Sequence, residues 1–330
     1  LNAVAFIHRS NYLSNGDAGS GSLRYDLSLD GGASWNNDIG PIYNGDSARY
    51  PTARLTLPNT ASPVSSNAKL VFTAPILGNS NNIWGGEVWG AVTPSQSSSY
   101  FFQTNTSNSS IKYSYRGAIW SAGNKLHKVQ FQVDYAQVEG YTDTLIYSTY
   151  VLGSGISEVK IPAPMVHVVE PTLSIAFAPD GVVGYIAFSG DLGNMGDTTL
   201  YPIILKTADG GNTWSSPQAV NLQNIIDQNV LFGTGANGIL TTGFEADLTV
   251  DALGNFHYFT NVGRAGATYS ILEPPNQGLY RIKGDGTQFQ ADLVAQNMTM
   301  RGDFTAGPYQ HGEDNRPQLA INSNGTRILA

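Results

Sequence analysis

Seven side chains of this 330-residue sequence sit at comparable places just ahead of or within apolar segments, and all are of types that handle polar ligands. They are Arg49 and Tyr50 before Pro51, Arg116 before Ile119 and Trp120, Glu170 before Pro171, Glu245 before Leu248, and Arg316 before Pro317. A guanidinium clamps a carboxylate in a bidentate, oriented way. An aromatic ring offers a flat apolar face, and a glutamate accepts hydrogen bonds or moves a proton. The set has two readings. Either it lines a ligand pocket, or its Arg and Glu members satisfy one another as an ion-pair network.

Other chemistry is thinner. Asp191, Asn194 and Asp197 place oxygen ligands in one Gly-rich stretch, the donor chemistry of Ca²⁺, without EF-hand spacing or a bidentate Glu. No other cofactor is expected. His8, His127, His167, His257 and His311 are dispersed without metal-ligand spacing, and there is no cysteine, which excludes disulfides, thiolate zinc sites and cysteine nucleophiles. Neither a Gly-x-Ser-x-Gly elbow nor a nucleotide-binding glycine signature occurs. Lys and Arg number 17 against 25 Asp and Glu, for a net charge of -8, so no basic surface exists to neutralise nucleic-acid phosphates. No apolar run approaches the ~20 residues a membrane-spanning helix requires.

The elements that must position these residues are strands. Leu23, Tyr25, Leu27 and Leu29 alternate with Arg24, Asp26 and Ser28; Val129, Phe131 and Val133 alternate with Gln130 and Gln132. Such period-two stretches are strands with a buried face. Helical spacing is nearly absent, residues 218–231 coming nearest. Apolar strands end in tight turns at Gly181, Gly254 and Gly325, with a weaker copy at Gly123, and a new strand follows each. These turns recur every ~60–70 residues, the length of a unit of four short strands that buries its faces only by stacking on its neighbours.

Two octapeptides stand apart: Ser28-Leu29-Asp30-Gly31-Gly32-Ala33-Ser34-Trp35 and Thr207-Ala208-Asp209-Gly210-Gly211-Asn212-Thr213-Trp214. Both read Ser/Thr-x-Asp-x-Gly-x-Ser/Thr-Trp. The carboxylate and hydroxyls bond to turn backbone, Gly32 and Gly211 permit the tight path, and the Trp can plug the space between neighbouring sheets.

On these two boxes and the repeats, the sequence resembles the Asp-box (BNR-repeat) β-propellers, a group that includes sialidases and non-catalytic secreted modules. The resemblance implies an all-β propeller of four-stranded blades, six in number with five or seven as alternatives, formed by residues 1–330 as one domain. It places each box between the third and fourth strands of a blade and makes Ser28, Asp30, Gly32, Trp35, Thr207, Asp209, Gly211 and Trp214 structural. It also places first strands around the axis, where Arg49, Tyr50, Arg116, Trp120, Glu170, Glu245 and Arg316 would converge. The sialidase Arg-Ile/Leu-Pro signature precedes the first box in that family, whereas here Arg49-Tyr50-Pro51 follows it. In texture the chain is also similar to propeller domains of large surface proteins exported by the bacterial type IX system. The expected function is therefore a non-catalytic extracellular module within a longer secreted or cell-surface protein. Its partners would be a glycan, another surface polymer or other domains of that protein, without nucleic acid or a membrane span. The alternative is a sialidase-like glycoside hydrolase using the axial Arg and Glu residues.

Overall fold

The computed structural model describes residues 3–45, 47–56, 68–77, 84–93, 99–104, 111–122, 125–134, 140–151, 154–193, 199–232, 238–265, 272–296, 317–322 and 324–329. It is nearly all β and divides into two compact units, Leu1–Lys160 and Ile161–Ala330.

In the first unit, β1 (Val4–Arg9), β2 (Leu23–Ser28) and β3 (Asn36–Tyr43) form an antiparallel sheet in chain order. A short helix, α1 (Tyr12–Asn15), interrupts the β1–β2 connection. The sequence gives no helical period there. That connection is tied down by Arg24, whose Nε and Nη2 donate to the two Asp17 carboxylate oxygens at 2.6 and 2.9 Å. The second sheet is β4 (Thr52–Thr56), β5 (Lys69–Leu77), β6 (Trp84–Val92) and β7 (Ser99–Thr104). The third is β8 (Ile111–Ala122), β9 (Lys125–Asp134), β10 (Tyr141–Val151) and β11 (Gly155–Pro162). Both are antiparallel meanders, each strand pairing with the next.

These sheets stack as layers, which explains why β5 is apolar except at Lys69 and Thr73. Leu70, Phe72, Ala74 and Ile76 pack with Leu23, Tyr25, Leu27 and Ile42 of the first sheet. Val71 faces the other way and packs with Trp89, Ile119, Leu126 and Tyr150 toward the third. A strand buried on both faces is apolar at most positions.

The second unit repeats the plan. Strands β12 (His167–Phe177), β13 (Gly184–Asp191), β14 (Tyr201–Thr207) and β15 (Gln218–Ala219) form one meander. A 3-10 turn at Leu222–Asn224 and a second short helix, α2 (Gln228–Phe232), follow it, in the stretch where the sequence came closest to helical spacing. Strands β16 (Leu240–Val250), β17 (Phe256–Ala265), β18 (Leu272–Gly284) and β19 (Phe289–Gln296) form the next meander. A two-stranded sheet, β20 (Ala320–Ile321) with β21 (Ile328–Leu329), ends the chain. The Tyr185 and Phe256 rings meet at 5.2 Å between the first two layers, and the Tyr185 hydroxyl donates to Gly254 O at 2.9 Å. The third layer is held by Leu319 N donating to Asp247 Oδ2 at 2.8 Å and Ala252 N donating to Gly325 O at 3.0 Å.

The turns at Gly181, Gly254 and Gly325 join first to second strands of these three sheets, as the repeat implies. Gly325 shows why glycine is required: its φ is +69°, and a Cβ there would lie 2.7 Å from both Ala252 N and Pro179 Cγ. Gly123 lies outside the described residues.

Candidate functional site

The boxes occupy equivalent places. Residues 28–35 join β2 to β3, and residues 207–214 join the third strand β14 to the fourth strand β15 of their sheet. Their hydrogen bonding matches atom for atom. Ser28 Oγ donates to Asp30 Oδ1 and accepts from Gly32 N, both at 2.8 Å, and Asp30 accepts from Ser34 N at 2.8 Å and Ser34 Oγ at 2.6 Å. Thr207 Oγ1 donates to Asp209 at 2.8 Å and accepts from Gly211 N at 3.0 Å, while Thr213 N and Oγ1 donate to Asp209 at 2.9 and 2.6 Å. The hydroxyl of Ser34 or Thr213, the amide of the same residue and the hydroxyl of Ser28 or Thr207 hold Asp30 and Asp209 each down to about 2. Each of these donors is internal to the turn.

The two tryptophans sit differently. Trp214 is half-buried edge-on against Phe177, the last residue of the first strand of its own sheet, at 6.0 Å. Trp35 is 43% exposed, and its indole N–H donates to Gly32 O at 3.1 Å. The sheet β1–β3 has three strands and offers no counterpart to Phe177 among the described residues.

A third hairpin of this kind escaped the sequence reading. Between β18 and β19, Asp285 accepts from Thr287 N at 2.8 Å, Thr287 Oγ1 at 2.6 Å and Gln288 N at 2.9 Å, and these bonds hold its carboxyl well below the ordinary range. Asp-Gly-Thr was its only signal, without the Trp. Lys206, one residue ahead of the second box, donates to Asp285 O at 2.6 Å and so links neighbouring hairpins.

A carboxyl held below its unfolded value of about 3.9 adds stability that is complete above that value and is lost as pH falls through the folded one. For Asp30 and Asp209 this window runs from about pH 4 down to about 2. Thermal melts of the wild type should therefore fall across it, and Asp209→Asn should flatten part of that fall while lowering the melting temperature at pH 7. Parallel pH profiles of the two proteins test this.

The strand-start residues share a feature invisible in the sequence: in four successive sheets they fall where the first strand breaks register with the second. Ala48 bridges Ile76 and β4 resumes with Thr52 opposite Thr73, so residues 49–51 face 74–75. In β8, residues 114–116 lie between the Tyr113–Gln132 and Gly117–Gln130 pairs. In β12, residues 170–173 lie between Val169–Ser189 and Ser174–Ala187, and in β16, residues 243–245 lie between Thr242–Val262 and Ala246–Thr260. Each break puts extra residues on the first strand, which is a β-bulge, a device that re-aims side chains. Hydroxyls stitch two of them: Thr172 Oγ1 accepts from Ser189 N at 2.7 Å, and Thr260 Oγ1 donates to Glu245 O at 3.2 Å.

Tyr50 sits on the β4 bulge with φ +43° and is 58% exposed. A bulky residue in the left-handed region is strained, and such strain marks functional positions. Arg49 beside it is half-buried; its N–H donates to Pro75 O at 2.9 Å and its Nη1 to Ala48 O at 2.8 Å. Trp120 lies further along β8, and the guanidinium of Arg54 on β4 stands 5.1 Å from its ring centroid. Arg54 was missed because the pair joins two sheets 66 positions apart in sequence. Arg116 and Glu170 are placed on their bulges by the backbone, and Glu245 is half-buried at the β16 bulge. Within the first unit β4 lies beside β8, and within the second β12 lies beside β16. Arg49 and Tyr50 thus lead into a strand adjacent to that of Arg116, and Glu170 and Glu245 lie on adjacent strands. Arg316 lies outside the described residues.

Asp191 ends β13, buried, with Oδ1 accepting from Gly193 N at 2.6 Å. Asn194 and Asp197 lie outside the described residues, and among the described residues no group of three metal-ligating side chains occurs. No helix among them is long and apolar enough to cross a membrane.

No protein-family model and no curated protein matches the chain. Solved structures similar to it include the NanB sialidase of Streptococcus pneumoniae (10% identity, 84% of this chain, 56% of that one, TM-score 0.44). They include the Trypanosoma rangeli sialidase in complex with sialic acid (9%, 98% and 49%, TM-score 0.43). A xylan beta-1,4-xylosidase of Bacillus halodurans is also similar (10%, 93% and 57%, TM-score 0.39). The chain spans about half the length of these proteins.

Proposed function

We propose that the chain is a non-catalytic extracellular module of a secreted or cell-surface bacterial protein, built as a β-propeller of six blades and exported by the type IX route. It contacts a glycan or another surface polymer through side chains carried on the first-strand bulges. The observation that carries this reading is the recurrence of one bulge at one place in four successive sheets, loaded with Arg49 and Tyr50, Arg116, Glu170 and Glu245. A strained, exposed tyrosine next to an arginine is the ring-and-guanidinium pair that a hydroxyl-rich ligand uses. The box hairpins take no part in contact, since their polar atoms are spent on their own turns.

A second reading, glycoside hydrolysis, is favoured by Glu170 and Glu245 lying on bulges of adjacent strands, because glycosidases work with a pair of carboxylates. A panel of fluorogenic glycosides, sialosides included, separates the two. The module reading expects no turnover. Turnover that Glu245→Gln abolishes, while Asp209→Asn keeps it, would replace that reading with the enzyme.

A further inference from the structure

We propose that Glu87 and Lys128 are joined by a covalent side-chain amide that staples sheet β4–β7 to sheet β8–β11. Glu87 is on β6 and Lys128 on β9. Lys128 Nζ is in direct contact with Glu87 Oε1. Both residues are buried inside the first unit, at 4% and 3% exposure. Around the amine lie the Trp89 ring, 5.3 Å to its centroid, and Thr73 Oγ1, to which Nζ donates at 3.1 Å. Gly117 leaves the path of the lysine stem open, since a Cβ there would lie 2.8 Å from Lys128 Cε.

The chemistry is a condensation between neighbours held in place. Burial pushes the Lys128 amine well below its usual range, which frees its lone pair. Within the contact pair one proton passes from Nζ to the Glu87 carboxylate, and the neutral Nζ then attacks Cδ. The Nζ–Cδ bond forms, one C–O bond breaks, and the hydroxyl leaves with one amine proton as water. Nothing is oxidised or reduced, and no co-reactant is consumed. Fixing both groups in contact removes the entropy cost of bringing them together. The product replaces two desolvated charges, whose burial is costly even when paired, with one neutral amide. Its remaining N–H keeps Thr73 Oγ1 as acceptor. In a chain without cysteine, no disulfide is available to brace these layers.

The test is a peptide map of the purified full chain, denatured before digestion. Expected is an intact mass below the sequence mass by one water, a branched peptide joining the segments that contain Glu87 and Lys128, and no tryptic cleavage after Lys128. The branched peptide is decisive, because Asp-Gly turns such as Asp30-Gly31 also lose water on cyclising. Lys128→Arg, which keeps a cation without a nucleophilic amine, should lose the branched peptide. Linear peptides carrying free Glu87 and free Lys128 in the wild type would overturn the proposal, whether or not the variant folds. So would a branched peptide that persists in Lys128→Arg.

Discussion

Trp89→Ala is expected to lower the stability of the first unit by about 3–5 kcal/mol, the range for emptying a fully buried large aromatic site. Trp89 is 1% exposed and packs against Val71, Ile119, Leu126 and Tyr150, with the Tyr150 ring centroid 6.5 Å away. It also faces the Lys128 side chain, whose Nζ lies 5.3 Å from the ring centroid, so its removal strips packing from that buried group as well. The site sits between two sheets, each a hydrogen-bonded layer that cannot collapse inward without breaking its ladder, so relaxation is limited and the cost stays at the upper end. Trp35→Ala is the contrast: that ring is 43% exposed, and its loss should cost less than about 1 kcal/mol. Urea denaturation followed by tryptophan fluorescence and circular dichroism measures both. Similar losses for the two variants would contradict the layered core described above.

Tyr50→Gly is expected to weaken glycan binding about 30-fold while leaving the protein at least as stable. The binding figure follows from a hot-spot aromatic being worth about 2 kcal/mol, with 1.4 kcal/mol for each factor of ten. The stability half follows from the backbone. Tyr50 is held at φ +43°, a conformation glycine adopts without steric cost. A tyrosine kept there only for packing would be buried, and this ring is 58% exposed. Calorimetric titration and thermal melts of the same preparations separate the two effects. A variant that binds as tightly as the wild type would remove Tyr50 from the site.

How far the sequence could be read depended on the range of the interaction. Box geometry was legible because Asp209 finds every partner between Thr207 and Thr213, within its own turn. The meanders were legible where apolar and polar residues alternate, as at 129–133, although both faces of β9 are buried, and less so at β5, whose mostly apolar run hides the alternation. Helix α1 was hidden because none of its residues is buried, so no apolar period marks it. The strand-start residues could be picked out by type, but the bulges that unite them exist only in register against a second strand. Arg54 over Trp120 and Lys128 against Glu87 are contacts between sheets, which no local pattern encodes. The position of Trp35 was misjudged because the box motif contains the ring and not the surface it leans on.

The central claim is the proposal that the first-strand bulges of each unit carry ligand-binding side chains. The most direct measurement is a glycan array probed with the full chain, followed by titration of the best ligand into wild type, Tyr50→Gly, Glu245→Gln and Asp209→Asn. The account predicts saturable binding that Tyr50→Gly and Glu245→Gln weaken at least ten-fold, about 1.4 kcal/mol, and that Asp209→Asn leaves intact below its melting temperature. Binding unchanged by both bulge variants, or no binding to any glycan, would contradict it.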